Sequence, residues 1–393
     1  MTAATLQSRL STEDQLHWLA LIMAPGLGPR RALPLLDRFR SVQAIFRASR
    51  SELMGAGLPG AAAQTIASGC TFEEAADQQQ RTLAAGVEMI VFQDPLYPPY
   101  LKEIYDPPIV LFAKGRLELL GRTSLGIVGT RRPTPYGMAA TERLGSELAA
   151  SGLVIVSGLA RGIDTAAHRA ALSVNGDTVA VFGSGIDHIY PAENRRLAEE
   201  ISSKGLLLSE YPMGAPGHPQ NFPQRNRIIS GVSVGVLVVE GAQYSGSAIT
   251  AQLALEQGRE VFAVPGNITS KLSWAPNLLI KQGAKLVQSS EDVLTELSPD
   301  IRRQLYTPAE SSDNAPASQL EELGRVLGPN APLGQRILSQ LRVDEAMHLD
   351  FLMESLADAS SSEVIATLFQ LQMLGTVREL PGKNYVKVWG DAA

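Results

Sequence analysis

The chain has 393 residues, 45% hydrophobic and 19% charged, which is enough apolar material for a large core and two or three domains, and not the make-up of a disordered chain. Its one cysteine, Cys70, excludes a disulfide framework and a cysteine-based zinc site, and fits a reduced, cytoplasmic compartment. The net charge of −6 argues against a general nucleic-acid coat, but twelve Asp/Glu against six Lys/Arg fall between Glu310 and Ala393, leaving 28 of each sign elsewhere.

Met1 to Arg9 carries no apolar export signal, and nothing later reaches the roughly 18 uncharged apolar residues of a membrane span, so a soluble chain with no membrane partner is expected. Leu16 to Phe39 reads as helix, break (Ala24-Pro25-Gly26-Leu27-Gly28-Pro29) and helix, and a second glycine turn follows at Gly55 to Gly60. Residues 1–70 are therefore expected to form a helix-hairpin-helix or SAM-like module. Its glycines and helix N-termini could offer N–H groups to a phosphate, but a packing module is the stronger expectation.

From Phe72 a helical stretch leads to Glu88-Met89-Ile90-Val91-Phe92 and then to the proline-dense connector Asp94 to Leu101. Beyond it, short apolar runs alternate with amphipathic helical patterns, the signature of βαβ units. The runs Ser124–Gly129, Leu153–Ser157, Thr178–Phe182, Leu206–Ser209, Gly235–Glu240 and Glu260–Val264 are continuous rather than alternating, so helices cover both faces. The fold class is α/β, with a Rossmann-like, doubly wound, mostly parallel sheet over residues 71–298. Residues 299–332, rich in Pro, Ser, Ala and acids, read as a linker. Residues 333–393 read as three short helices and a hairpin ending near Trp389, a winged helix.

In such a sheet ligands sit beyond the carboxyl ends of the strands, where function should collect. Gly129-Thr130-Arg131-Arg132 follows the first run, with a hydroxyl and an arginine able to grip phosphate. Ser157-Gly158-Leu159-Ala160-Arg161-Gly162 follows the second and enters a helix, with Asp164 expected as a helix cap and His168 as a structural residue. Gly183-Ser184-Gly185 leads to Tyr190-Pro191 and Asn194, a loose echo of a dinucleotide loop without its third glycine. Phe222 precedes Arg225, Asn226 and Arg227 at a helix start, where Phe222 is either a base-stacking platform or core, and the arginines suit backbone phosphates. Ser245 and Ser247, and Val264 to Asn267, complete the polar loops. No phosphate-binding Gly-x-x-x-x-Gly-Lys loop, zinc helix or serine elbow occurs, so no catalytic residues, cofactor or metal are expected.

These motifs resemble, in order, the hallmarks of the DprA family, also called Smf, over roughly Asp94 to Leu294. The resemblance implies a non-catalytic dimer whose Rossmann-like domain binds single-stranded DNA and loads the recombinase RecA during natural transformation, with Arg131 and Arg161 as principal cations. Arg161 stands where many relatives carry lysine, and Ser273 to Asn277 replaces a glycine-containing turn. The alternative, a nucleotide-processing enzyme of the phosphoribohydrolase-like group, lacks support because Val264-Pro265-Gly266 continues to Asn267 instead of a second glycine. Release of adenine from AMP distinguishes the two. The presumed recognition helix, Ser361 to Gln372, carries Glu363 and no Lys or Arg, which suits protein contact or regulation better than a DNA surface.

Overall fold

The structure, a computed structural model, describes residues 10–305, 327, 330–342, 346–356 and 359–388. Nine strands form its main sheet: β1 (Glu88–Val91), β2 (Val110–Gly115), β3 (Ser124–Val128), β4 (Val154–Ser157), β5 (Thr178–Phe182), β6 (Leu206–Ser209), β7 (Gly235–Val238), β8 (Glu260–Ala263) and β9 (Lys285–Leu286). Their spatial order is β1-β2-β6-β5-β4-β3-β7-β8-β9. From β6 to β9 all pairs are parallel, while β2 runs antiparallel to both β1 and β6. The six apolar runs correspond to β3 through β8. The sequence reading missed β2, because Pro107 and Pro108 just before it extend the proline-rich connector that masks a strand signal.

Both faces of the sheet are covered, which explains why the runs do not alternate. One face buries Val154, Val156, Val179, Val181, Val236 and Val238 against Ile228 and Ile229 of helix Asn221–Val232 and Ala251 and Ala254 of helix Gly246–Glu256. The other buries Leu125, Ile127, Ile155 and Leu237 against Leu144 and Leu148 of helix Pro135–Ala150 and Ala167 and Ala171 of helix Ile163–Ser173. Each buried aliphatic side chain contributes about 1.5–3 kcal/mol relative to an exposed one. The result is a rigid platform with its loops at the strand ends.

The N-terminal helices Thr12–Ile22 and Pro29–Phe39 flank the glycine break, with Gly28 and Pro29 opening the second. Helix Phe72–Ala84 also belongs to this unit: Ala75 shares a core with Trp18, Leu21 and Ile66, and the Thr71 hydroxyl donates to Ala20 O at 2.9 Å. A boundary at residue 70 therefore cuts through a packed unit. That core runs on without a break into Phe182 and Leu197 of the sheet domain.

Of the expected linker, residues 306–326 lie outside the described residues, but its start is the helix Pro299–Leu305, with Ile301 and Leu305 against the sheet's core. The C-terminal unit has helices Ala331–Gln340, Leu349–Ser355 and Ser361–Met373 and strands β10 (Met347–His348), β11 (Val377–Leu380) and β12 (Asn384–Lys387), in the order β10-β12-β11. Trp389, the expected hairpin end, lies outside the described residues. Arg378 on β11 pairs with Glu142 of helix Pro135–Ala150 at 2.6 Å, which sets β11 and β12 beside the loop leading from Arg131. Among the described residues no helix is long and apolar enough to cross a membrane.

Candidate nucleic-acid interface

The chain lays β4, β5 and β6 to one side of β3 and β7, β8 and β9 to the other. Loops leaving β3 and β7 therefore diverge, and the crevice between them is where open α/β sheets take ligands. Here it is a cleft of about 600 Å³, lined by Gly129, Thr130 and Arg131 after β3, Ala160 and Asp164 after β4, Tyr190 after β5, Phe222, Arg225 and Asn226 of helix Asn221–Val232, and Ser245 and Ser247 after β7. Arg161 stands at one end, sharing a recess with Arg131, Tyr190 and Phe222.

The wall of the cleft pairs cations with rings. The Arg131 guanidinium lies 5.9 Å from the Phe222 ring centre, and the Tyr190 ring centre lies 5.5 Å from that of Phe222. Phe222 is half-buried, its inner edge packed toward Gly183 and Gly217, so it belongs partly to the core and partly to the cleft. Tyr190 is 48% exposed and is a site residue that the sequence reading quoted but did not single out. Exposed guanidinium groups beside partly open rings offer phosphate and base contacts together.

The loop carrying Arg161 is held by its backbone. Gly162 sits at φ +74°, where a side chain would collide with Thr130 O, and Ile163 N donates to that same carbonyl at 3.2 Å. Asp164 does not cap its own helix as expected, since Gly162 holds that position. Its carboxylate instead reaches back to accept from Gly158 N at 3.1 Å and Ala160 N at 3.4 Å.

Two expected phosphate ligands turn inward. Arg225 is 4% exposed and donates to Gly158 O at 2.8 Å and to Val181 O, occupying the space that a side chain at Gly158 would fill. Arg227 is 8% exposed, bonded to Glu210 at 2.5 Å and 3.4 Å from Asp106. Helix Asn221–Val232 lies on the sheet, and in this structure these side chains pair strand-end carbonyls and buried acids, with Arg225 at the cleft's floor and Arg227 away from it.

Ser157, Ser184 and Asn194 are buried as well, donating to Ile127 O, His188 O, and both Leu159 O and Thr165 Oγ1. They fasten the loops and do not line the cleft. Gly183 and Gly185 are buried, Gly185 N donating to Ala215 O, and Arg132 is exposed beside the cleft without lining it. Thr130, Arg131, Arg161, Phe222, Asn226 and Ser245 remain at least partly open to solvent.

Burial lowers the Arg225 guanidinium to about 10, with Asp164 opposing the fall, so it stays cationic at neutral pH beneath the cleft floor. Burial also lowers the His168 imidazole from 6.5 to about 3, with Arg225 adding to the effect. His168 Nδ1 lies 2.7 Å from the Thr178 hydroxyl, whose own proton goes to Ile155 O, so the imidazole is the donor and is neutral. The sign follows: between pH 6.5 and about 3 the unfolded chain binds a proton that the folded chain refuses, and stability falls as pH falls through that window. His168→Gln should flatten this acid limb by up to about 1.4 kcal/mol per pH unit, read from urea unfolding midpoints across the window.

Next to the cationic cleft lies a second compartment of about 520 Å³, lined by Thr134, Tyr136, Glu240, Pro265 to Asn267, Ser270 and Ser273. The Glu240 carboxylate accepts from Thr134 N at 2.9 Å and Thr134 Oγ1 at 2.5 Å. The lining of this compartment carries one acid, Glu240, where the lining of the neighbouring cleft carries Arg131 and Arg225.

The family model described as DNA recombination-mediator protein A matches residues 88–298, which is the sheet with every loop of the cleft. The chain belongs to this family. Among recombination-mediator relatives, the DNA processing protein DprA of Bacillus subtilis is 50% identical over 55% of this chain and 75% of its own. Protein Smf of Synechocystis is 35% identical over 96% of this chain and 99% of its own. The crystal structure of DNA processing protein A from Streptococcus pneumoniae superimposes with a TM-score of 0.63 at 38% identity, covering 72% of this chain and 98% of that one. The family's region therefore coincides with the part of the fold that builds the cleft.

Proposed function

We propose that this member of the recombination-mediator family is a non-catalytic, cytoplasmic, dimeric binder of single-stranded DNA that hands the strand to the RecA recombinase. The observation that supports the reading best is that Arg131 and Arg161, from loops after two different strands, share one recess with Tyr190 and Phe222 at the end of the cleft. A duplex presents phosphates but keeps its bases stacked, whereas an unpaired strand offers both partners that this wall can use. Retardation of labelled oligo-dT that weakens steeply with salt is the expected result, and no retardation at any salt would rule the reading out.

The C-terminal unit is assigned to protein contact or regulation. Helix Ser361–Met373 turns Ile365, Phe369 and Met373 to solvent, 50%, 63% and 75% exposed, and offers no cation where a DNA reader would carry several. Deleting residues 333–393 is expected to leave oligo-dT affinity within a few fold. A hundredfold loss in the same titration would transfer the main DNA contact to this unit.

A further inference from the structure

Arg161 is held before any strand arrives. Its Nε donates to Glu193 Oε1 at 2.8 Å and its Nη2 to Oε2 at 3.0 Å, the two-pronged geometry that a phosphate would need from the same edge of the guanidinium. Glu193 comes from a different loop, the short helical turn Ala192–Asn194. The next residue fixes that turn in place: buried Asn194 donates to Leu159 O and to Thr165 Oγ1, on either side of Arg161. The carboxylate is thus carried on backbone tied to the loop of its own partner. Both side chains are 56% exposed at the end of the cleft, in reach of an incoming anion.

We propose that Glu193 is an internal phosphate mimic that latches Arg161 and must be displaced when a DNA strand binds. The inference rests on the reading of the cleft as a single-strand site. An exposed ion pair is weak, so a strand engaging Arg131 at the same time outcompetes it, while an isolated small anion must displace a carboxylate that is already in place. The latch therefore favours polymers over free phosphates. It also alters ion release: when a phosphate replaces Glu193, the freed carboxylate recruits a cation and offsets the counterion that the DNA gives up.

The test uses the full-length chain, oligo-dT and a series of salt concentrations. Glu193→Gln should raise affinity by about two- to fivefold, the scale of an exposed ion pair, and steepen the dependence of log K on log salt by up to about 0.7. In an Arg161→Ala background the same substitution should gain almost nothing, because there is no latch to open. Unchanged or reduced affinity in Glu193→Gln overturns the proposal, as does an equal gain with and without Arg161, which would mark simple repulsion between Glu193 and the strand. If Arg161→Ala and Arg131→Ala both leave affinity untouched, the cleft itself is misassigned, an outcome distinct from failure of the latch alone.

Discussion

Replacing Arg131 and Arg161 together by alanine should abolish most retardation of oligo-dT while leaving the fold intact. Both side chains are exposed, so neither truncation opens a cavity or strands a buried partner, and the thermal midpoint should scarcely move. Hydrogen bonds to a charged group contribute about 1.5–3 kcal/mol each. Losing two phosphate contacts should therefore cost roughly a hundredfold or more in affinity, and each single variant on the order of tenfold. The slope of log K against log salt should flatten by about 0.7 when Arg131 is removed from a single-strand contact, and by less for Arg161, where Glu193 already offsets part of the ion release. Fluorescence anisotropy at several salt concentrations reads both quantities from one titration series. A double variant that keeps its affinity and its slope would show that the strand runs elsewhere on the molecule.

The contrast between Arg131 and Arg225 marks what the residues alone can tell. Arg131 stands just before a helix and Arg225 in the first turns of one, both among polar and proline residues, so the sequence offers no means of separating a ligand from a brace. What separates them is the direction of the helix. Helix Asn221–Val232 lies flat on the sheet with Ile228 and Ile229 in its core, and this rolls Arg225 toward the carbonyls of Gly158 and Val181. The parallel strands were legible because burial on both faces leaves continuous apolar runs, as in Val234 to Val239. The two-residue β9 and the antiparallel β2 were not, since one is too short to carry a pattern and the other follows a proline pair.

Long-range pairing was beyond the sequence for the same reason. Arg161 and Glu193 are separated by 32 positions, and only the parallel neighbours β4 and β5, whose loops emerge side by side, bring them together. Tyr190 acquires its role in the same way: it becomes part of the aromatic wall because the loop after β5 passes in front of helix Asn221–Val232. Position within the sheet decides these assignments, and the glycines mark only where the backbone must come close.

The inward turn of Arg225 leads to an effect on stability instead of affinity. Its guanidinium supplies the donors for Gly158 O and Val181 O and the positive charge nearest the buried Asp164 carboxyl, which burial already pushes toward protonation. Arg225→Met would keep much of the volume but deprive Gly158 O and Val181 O of this donor and the Asp164 carboxyl of its countercharge. Removing one member of such a buried arrangement costs about 3–5 kcal/mol, a large part of the 5–15 kcal/mol typical of a folded chain, and should lower the thermal midpoint by roughly 10 °C. Combining it with Asp164→Asn should recover part of that loss, because an amide oxygen still accepts from Gly158 N and Ala160 N without an unpaired charge. Arg225→Lys should recover part of the loss, since Nη1 alone donates to both carbonyls and an ammonium with three donors can stand in its place. If Arg225→Met instead melts like the parent and loses only DNA affinity, the side chain must swing into the cleft on binding, and the brace gives way to a ligand.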